Sequence, residues 1–214
     1  MPLLPPSAPR EARNSFVSAL GFLAENAGPR FQNLSELASY QNKRLSPVPV
    51  HVFGLSTLAE SRPLQMQSSP SHAEIWSFFV TGPEIPAAIL EIARNESYWP
   101  AQYEFLALRE GEPVLKVLAA LPVEPPDSRD WDLALHKIPG LSEMLFWLTP
   151  TSVSPGTVDR CVPVFGFQHY AAGAVYSASQ VTDAMRQESQ RILSTRYARS
   201  LQSESGGAAS ASGA

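Results

Sequence analysis

The sequence predicts an α+β fold: a mixed, mainly antiparallel sheet of about five strands, with an N-terminal helical pair and a C-terminal helix packed on the sheet. Three observations lead there. Strand-like apolar runs crowd the middle of the chain, and the helical spacings lie mainly towards its ends. In addition, 20 prolines against 12 glycines cut the chain into short elements joined by rigid turns.

From Glu11 to Ala27, the residues Phe16, Val17, Leu20, Leu23, Ala24 and Ala27 recur at helical spacing, and Gly28-Pro29 ends the helix. A second helix is expected over Leu34–Arg44, with Asn33 as cap and Glu36 completing a capping box. The β region opens near Ser46, where Pro47 and Pro49 put the strand at an edge or delay it to Val50. Residues 60–72, rich in Ser, Pro and Gln, read as a loop.

The stretch His72–Leu121 then reads β-α-β-β. It holds a strand at Ile75–Val80, a helical segment at Ile85–Ala93, and two apolar runs forming a hairpin around Arg109–Pro113. Asp127 or Ser128 is expected to cap a short helix through Lys137, closed by Pro139-Gly140. Met144–Leu148 is a buried strand or helix segment that periodicity does not distinguish. Arg160–Tyr176 reads as one bulged strand or a loose hairpin.

The last helix is expected from about Ser179 to Leu201. Val181, Met185 and Ile192 share one face while Leu193, Tyr197 and Leu201 drift aside, so its final turns leave the body. The chain thus divides into a Pro-rich arm (1–10), one globular domain (11–201) and a disordered low-complexity tail (202–214).

Composition narrows the function classes. The 214 residues are 44% hydrophobic, ample for one core. A single cysteine, Cys161, excludes an internal disulfide and fits a reducing compartment. The start lacks the basic and apolar regions of a signal peptide, and no segment reaches the ~18 apolar residues of a membrane span. The expectation is a cytoplasmic protein. Residues 1–48 carry a net +2, residues 49–177 a net −7 and residues 178–214 a net +1. The acidic middle argues against a phosphate-tracking surface on the core and suits a basic partner.

Chemistry-bearing residues give weak constellations. Cys161 follows Arg160 and lies eight residues before His169, so a bent strand would join thiol and imidazole. The setting matches no nucleophile motif, and a small core cysteine is the simpler reading. His51, His72, His136 and His169 lack metal-ligand spacing, and Asp127, Asp130 and Asp132 suit helix capping better than calcium, so no metal is expected. Glu74 and Glu104, in or beside apolar runs, are the carboxylates best placed for burial. No Gly-x-Ser-x-Gly elbow and no Gly-rich phosphate loop occurs, so no cofactor is expected. Arg191, Arg196 and Arg199 form a stripe that would meet nucleic acid or pair with the acidic body.

Contact residues offer the better lead. Tyr98 and Trp99 mark a corner before a strand, Glu110 and Glu112 flank Gly111 at the expected hairpin tip, and Trp131 stands between two aspartates. The function read from this is a non-enzymatic protein-interaction or regulatory protein that binds a larger, partly basic protein. It would act as an inhibitor, immunity factor, chaperone or accessory subunit does. A small enzyme using Cys161 and His169, or Glu74 and Glu104, is the first alternative. Nucleic-acid binding through the Arg-bearing helix is the second.

Overall fold

The computed structural model describes residues 3–4, 7–26, 47–60, 74–82, 85–98, 102–121, 131–151 and 158–208. In chain order these form β1 (Leu3–Leu4), α1 (Arg10–Asn26), β2 (Val48–Val52), α2 (Leu55–Ala59), β3 (Ile75–Gly82), β4 (Ile85–Asn95) and β5 (Gln102–Glu110). There follow α3 (Glu112–Ala120), β6 (Trp131–Ile138), β7 (Glu143–Pro150), β8 (Arg160–Pro163), β9 (Tyr176–Ser177) and α4 (Ala178–Ala208). The α+β class, the antiparallel bias and a C-terminal helix on one face all match expectation. The expected second N-terminal helix, Leu34–Arg44, lies outside the described residues.

The sheet is larger than expected, with nine strands among the described residues rather than about five. Its order is β5-β4-β3-β2-β6-β7-β8-β9, and β1 lies beside the start of β6. Every pairing is antiparallel except β1–β6 and β2–β6. Two of the extra strands, β4 and β6, come from segments whose apolar runs are continuous rather than alternating. In β4, Ala88, Leu90 and Ile92 face one side while Ile89 and Glu91 face the other, and all five are buried. A central strand covered on both faces loses the period of two, so the expected helix over Ile85–Ala93 is in fact a strand. The same holds for β6, a strand where a helix reaching Lys137 was expected: residues 133–138 are buried without a break.

The opposite correction applies to the expected strand after Pro113. Glu112–Ala120 is a helix, with Pro113 in its first turn and Val114, Val117 and the following Leu121 buried at three- and four-residue spacing. The strand β5 therefore pairs with β4 rather than with the segment that follows it. Gly111, between β5 and α3, sits against the backbone of β4; an added Cβ would lie 3.0 Å from the Ala88 carbonyl carbon. Arg160–Tyr176 resolves as a loose hairpin, in which β9 returns to pair Arg160 with Ser177 and Cys161 with Tyr176.

The layers follow from the side-chain faces. α1 covers β3, β4 and β5 through Ala12, Leu20 and Leu23, and Phe16 stacks on Phe78 with centroids 4.3 Å apart. α2 and α4 cover β6, β7 and β8 on the same side through Leu58, Val181 and Met185. α3 covers the opposite side, over Phe79, Ile89, Leu133 and Phe146. From Ser194 to Arg199 every α4 side chain is exposed, so these turns of the helix leave the body as expected. Its backbone stays helical through Ala208, beyond Gln202, where the tail was expected to begin.

Candidate functional site

Strand β5 terminates the sheet, and its outer edge has no paired strand among the described residues. Along it Glu91 faces Ala107 while Ile92 faces Phe105, which leaves Leu106 as an extra residue in a β-bulge. A bulge re-aims side chains. Phe105 and Leu106 are 40% and 50% exposed, and Tyr98, in the turn that leads towards β5, is 48% exposed. Ser97 donates its backbone amide to Asn95 Oδ1 at 2.9 Å, which shapes that turn.

Beside the bulge lies an open cleft of about 420 Å³ lined by Glu74, Ala93, Arg94, Asn95, Glu96, Glu104, Phe105 and Leu106. Three carboxylates and one guanidinium make it acidic. Arg94 is drawn to Glu96 at 3.7 Å, and Asn95 Nδ2 donates to Glu104 Oε2 at 2.9 Å. Glu74 and Glu104 thus come together at one cleft, but both are exposed rather than buried.

A second polar group is internal. Glu91 of β4 is 2% exposed and Lys137 of β6 is 9% exposed, and Lys137 Nζ donates to Glu91 Oε1. Arg109 Nε lies 3.4 Å from the same oxygen, with its side chain about half exposed. Two strands, β3 and β2, separate β4 from β6. In a flat sheet that alone would hold the pair about 14 Å apart. The ion pair therefore closes across a sheet curled around its α3-bearing face. Burial lowers the Lys137 pKa, and the hydrogen bond and charge of Glu91 work against that shift. The sequence signal was a charge inside an apolar run, Glu91 on one strand and Lys137 on the other, and their positions along the chain did not reveal the contact.

The third feature is a histidine pair. His51 and His136 face each other on β2 and β6, with ring centroids 5.3 Å apart and edge-on. His136 is fully buried, stacks on Trp147 at 4.9 Å, and neither of its nitrogens has a hydrogen-bond partner.

Cys161 is fully buried beside Trp147 and Tyr170, and burial pushes its thiol up to about 12. His169 is exposed on the turn that follows β8 and packs on Tyr170, and no described contact joins it to Cys161. A protonated thiol without a base is a poor nucleophile. Trp131 is a correction: it is 3% exposed in the core under α3, with the Arg160 guanidinium 5.3 Å above its ring. Glu110 and Glu112 are exposed, at the end of β5 and the start of α3 rather than on a hairpin tip. Trp99 lies outside the described residues. Arg191 is paired within α4 to Glu188 at 2.8 Å, whereas Arg196 and Arg199 stand exposed on the projecting turns. No group of three or more metal-ligating side chains occurs among the described residues, and no helix there is long and apolar enough to cross a membrane.

No protein-family model, curated protein or solved structure matches the chain, so the reading of function rests on this geometry.

Proposed function

We propose that the chain is a non-catalytic binding protein that captures an extended, basic segment of a larger protein along β5 and the acidic cleft at its start. The observation that carries the reading is the coincidence of a sheet edge that no described strand pairs, two exposed apolar residues on a bulge, and Glu74, Glu96 and Glu104 around one cleft; Ser15 Oγ of α1 donates to the Tyr103 carbonyl near the start of β5. An edge strand offers main-chain donors and acceptors to an added strand, and side-chain pockets confer selectivity. Bulges and charges on an edge also discourage indiscriminate pairing. A partner strand is therefore favoured when it brings Lys or Arg opposite the glutamates and small apolar residues opposite Phe105 and Leu106. The burial of Cys161 away from His169, and the exposure of the cleft carboxylates, support a binding role over the thiol and acid–base alternatives.

A direct test titrates the isotope-labelled full chain with a short peptide alternating lysine and valine. The expected result is movement of the amide signals of Gln102–Glu110 and Ala93–Glu96 first. Paired reversal, Glu96→Lys with Glu104→Lys, should weaken binding about tenfold, or about 1.4 kcal/mol. Shifts confined to α4, or binding indifferent to the reversal, would remove β5 as the docking edge.

A further inference from the structure

The sheet consists of two antiparallel halves, β2 to β5 and β6 to β9. Among the described residues one short parallel ladder joins them, with Val50, His51 and Val52 opposite Leu135, His136 and Lys137. Strand β1 runs beside Trp131 and Asp132 and does not connect the halves. The middle rung of the joining ladder is histidine on both strands. His51 Nε2 and both nitrogens of His136 are buried without hydrogen-bond partners, and Phe53 and Trp147 wall the pair at 5.2 and 4.9 Å from the His136 ring.

Neutral imidazoles pack there as aromatic rings, but a cation in that position needs an acceptor or a counter-ion. The charged groups around the pair are engaged or distant. On β6, Asp132 is two same-face positions from His136, and Lys137, on the other face, is bound to Glu91. Glu143 of β7 accepts the backbone amides of Met144 and Phe165. Asp159, just before β8, accepts from Trp147 Nε1. On α4, Asp183 pairs with Arg186 and Glu188 with Arg191. α2 carries no charge, Glu60 at its end is exposed, and Glu74 before β3 lines the cleft. No described hydrogen bond or ion pair brings any of these to either imidazole.

We propose that the β2–β6 seam is an acid-sensitive latch: at neutral pH both rings are uncharged and the halves stay joined, whereas acidification places like charges on facing rungs and opens the ladder. Like charges directly opposite on neighbouring strands repel. Burial lowers both imidazole pKa values, and the charge of His51 lowers that of His136 further. The opened seam therefore takes up protons more readily than the closed one as pH falls below 6.5. Apolar contacts on the opposite face, where Val48 and Val50 meet Leu133, Leu135 and Phe146, continue across the seam. Opening is accordingly a local event on the side covered by α2 and α4.

Hydrogen exchange of the full chain, compared between about pH 7.5 and about pH 5 after correction for intrinsic rates, tests this. Within Val50–Phe53 and Leu135–Ile138, the amides donated across the seam, as Phe53 N–H is to the Lys137 carbonyl, should exchange at least about tenfold faster at the lower pH, as uptake of one proton across a pH unit requires, while those pointing away from the seam stay protected. Those of Ile89–Ile92 should keep their protection. His136→Phe, or His51→Gln should the first variant fail to fold, is expected to hold the seam closed at the lower pH. Equal protection at both pH values, uniform loosening of every strand, or variants that lose protection as the parent does would each overturn the latch.

Discussion

Gly111 shows how much a single missing side chain decides. It connects an edge strand to a helix that turns back over the sheet, and a Cβ there would crowd the Ala88 backbone at 3.0 Å. Gly111→Ala should lower stability by about 1–3 kcal/mol in urea unfolding, because backbone rather than a flexible side chain has to give way. Trp131 belongs to the same scale. An aromatic between two aspartates suggested a docking anchor, yet its burial under α3 makes it core. Trp131→Ala should cost about 3–5 kcal/mol of stability and leave the cleft intact. The ion pair across the curled sheet gives a sharper contrast. Lys137→Met strands Glu91 in the interior with only the half-exposed Arg109 nearby, and a loss of about 3–5 kcal/mol is expected. Adding Glu91→Leu should recover most of it; a double variant as weak as the single one would show that packing, not charge, is at stake.

Among the elements, β5 carries the functional proposal and also the clearest lesson about legibility. Its apolar run was visible as a strand, and Tyr98 before it as an exposed aromatic. The bulge at Leu106 was not visible, because it depends on which residues of β4 lie opposite. Leu106→Lys should leave unfolding free energy within about 0.5 kcal/mol, as an exposed edge residue has little native packing to lose. It should nevertheless abolish capture of the lysine–valine peptide, measured by the same titration. A large stability loss would place Leu106 in the core instead. The exchanged identities of β4 and α3 have different causes. β4 is buried on both faces and so loses the period of two that marks a strand, whereas α3 keeps a wet face but carries Pro113 in its first turn, inside a short apolar run that also suits a strand.

For the whole molecule, the joining ladder predicts a pH dependence with a definite sign. His136 is neutral when folded and its pKa is lowered by burial and by His51, so the unfolded chain binds the proton first. Its contribution to stability is present above pH 6.5 and is lost as pH falls below that value, towards the folded pKa. Over that window the loss approaches about 1.4 kcal/mol per pH unit for this residue. Denaturant midpoints measured down to about pH 5 should therefore fall in the parent chain and stay nearly level in His136→Phe. A parallel decline in both would assign the acid lability to other groups.

What the sequence determined by itself was the fold class, the terminal helices, the strands at Ile75 and before Glu110, and an acidic middle with an aromatic corner. Each of these is written in local spacing, turn residues or charge along the chain, and local terms need no partner to be read. Tertiary structure alone decided that Glu74 and Glu104 line one cleft, that Glu91 meets Lys137, that Cys161 is sealed from His169, and that two histidines face each other at the seam. Those contacts depend on strand order and register across long separations, where burial on both faces erases the periodic signal from which order would have to be inferred.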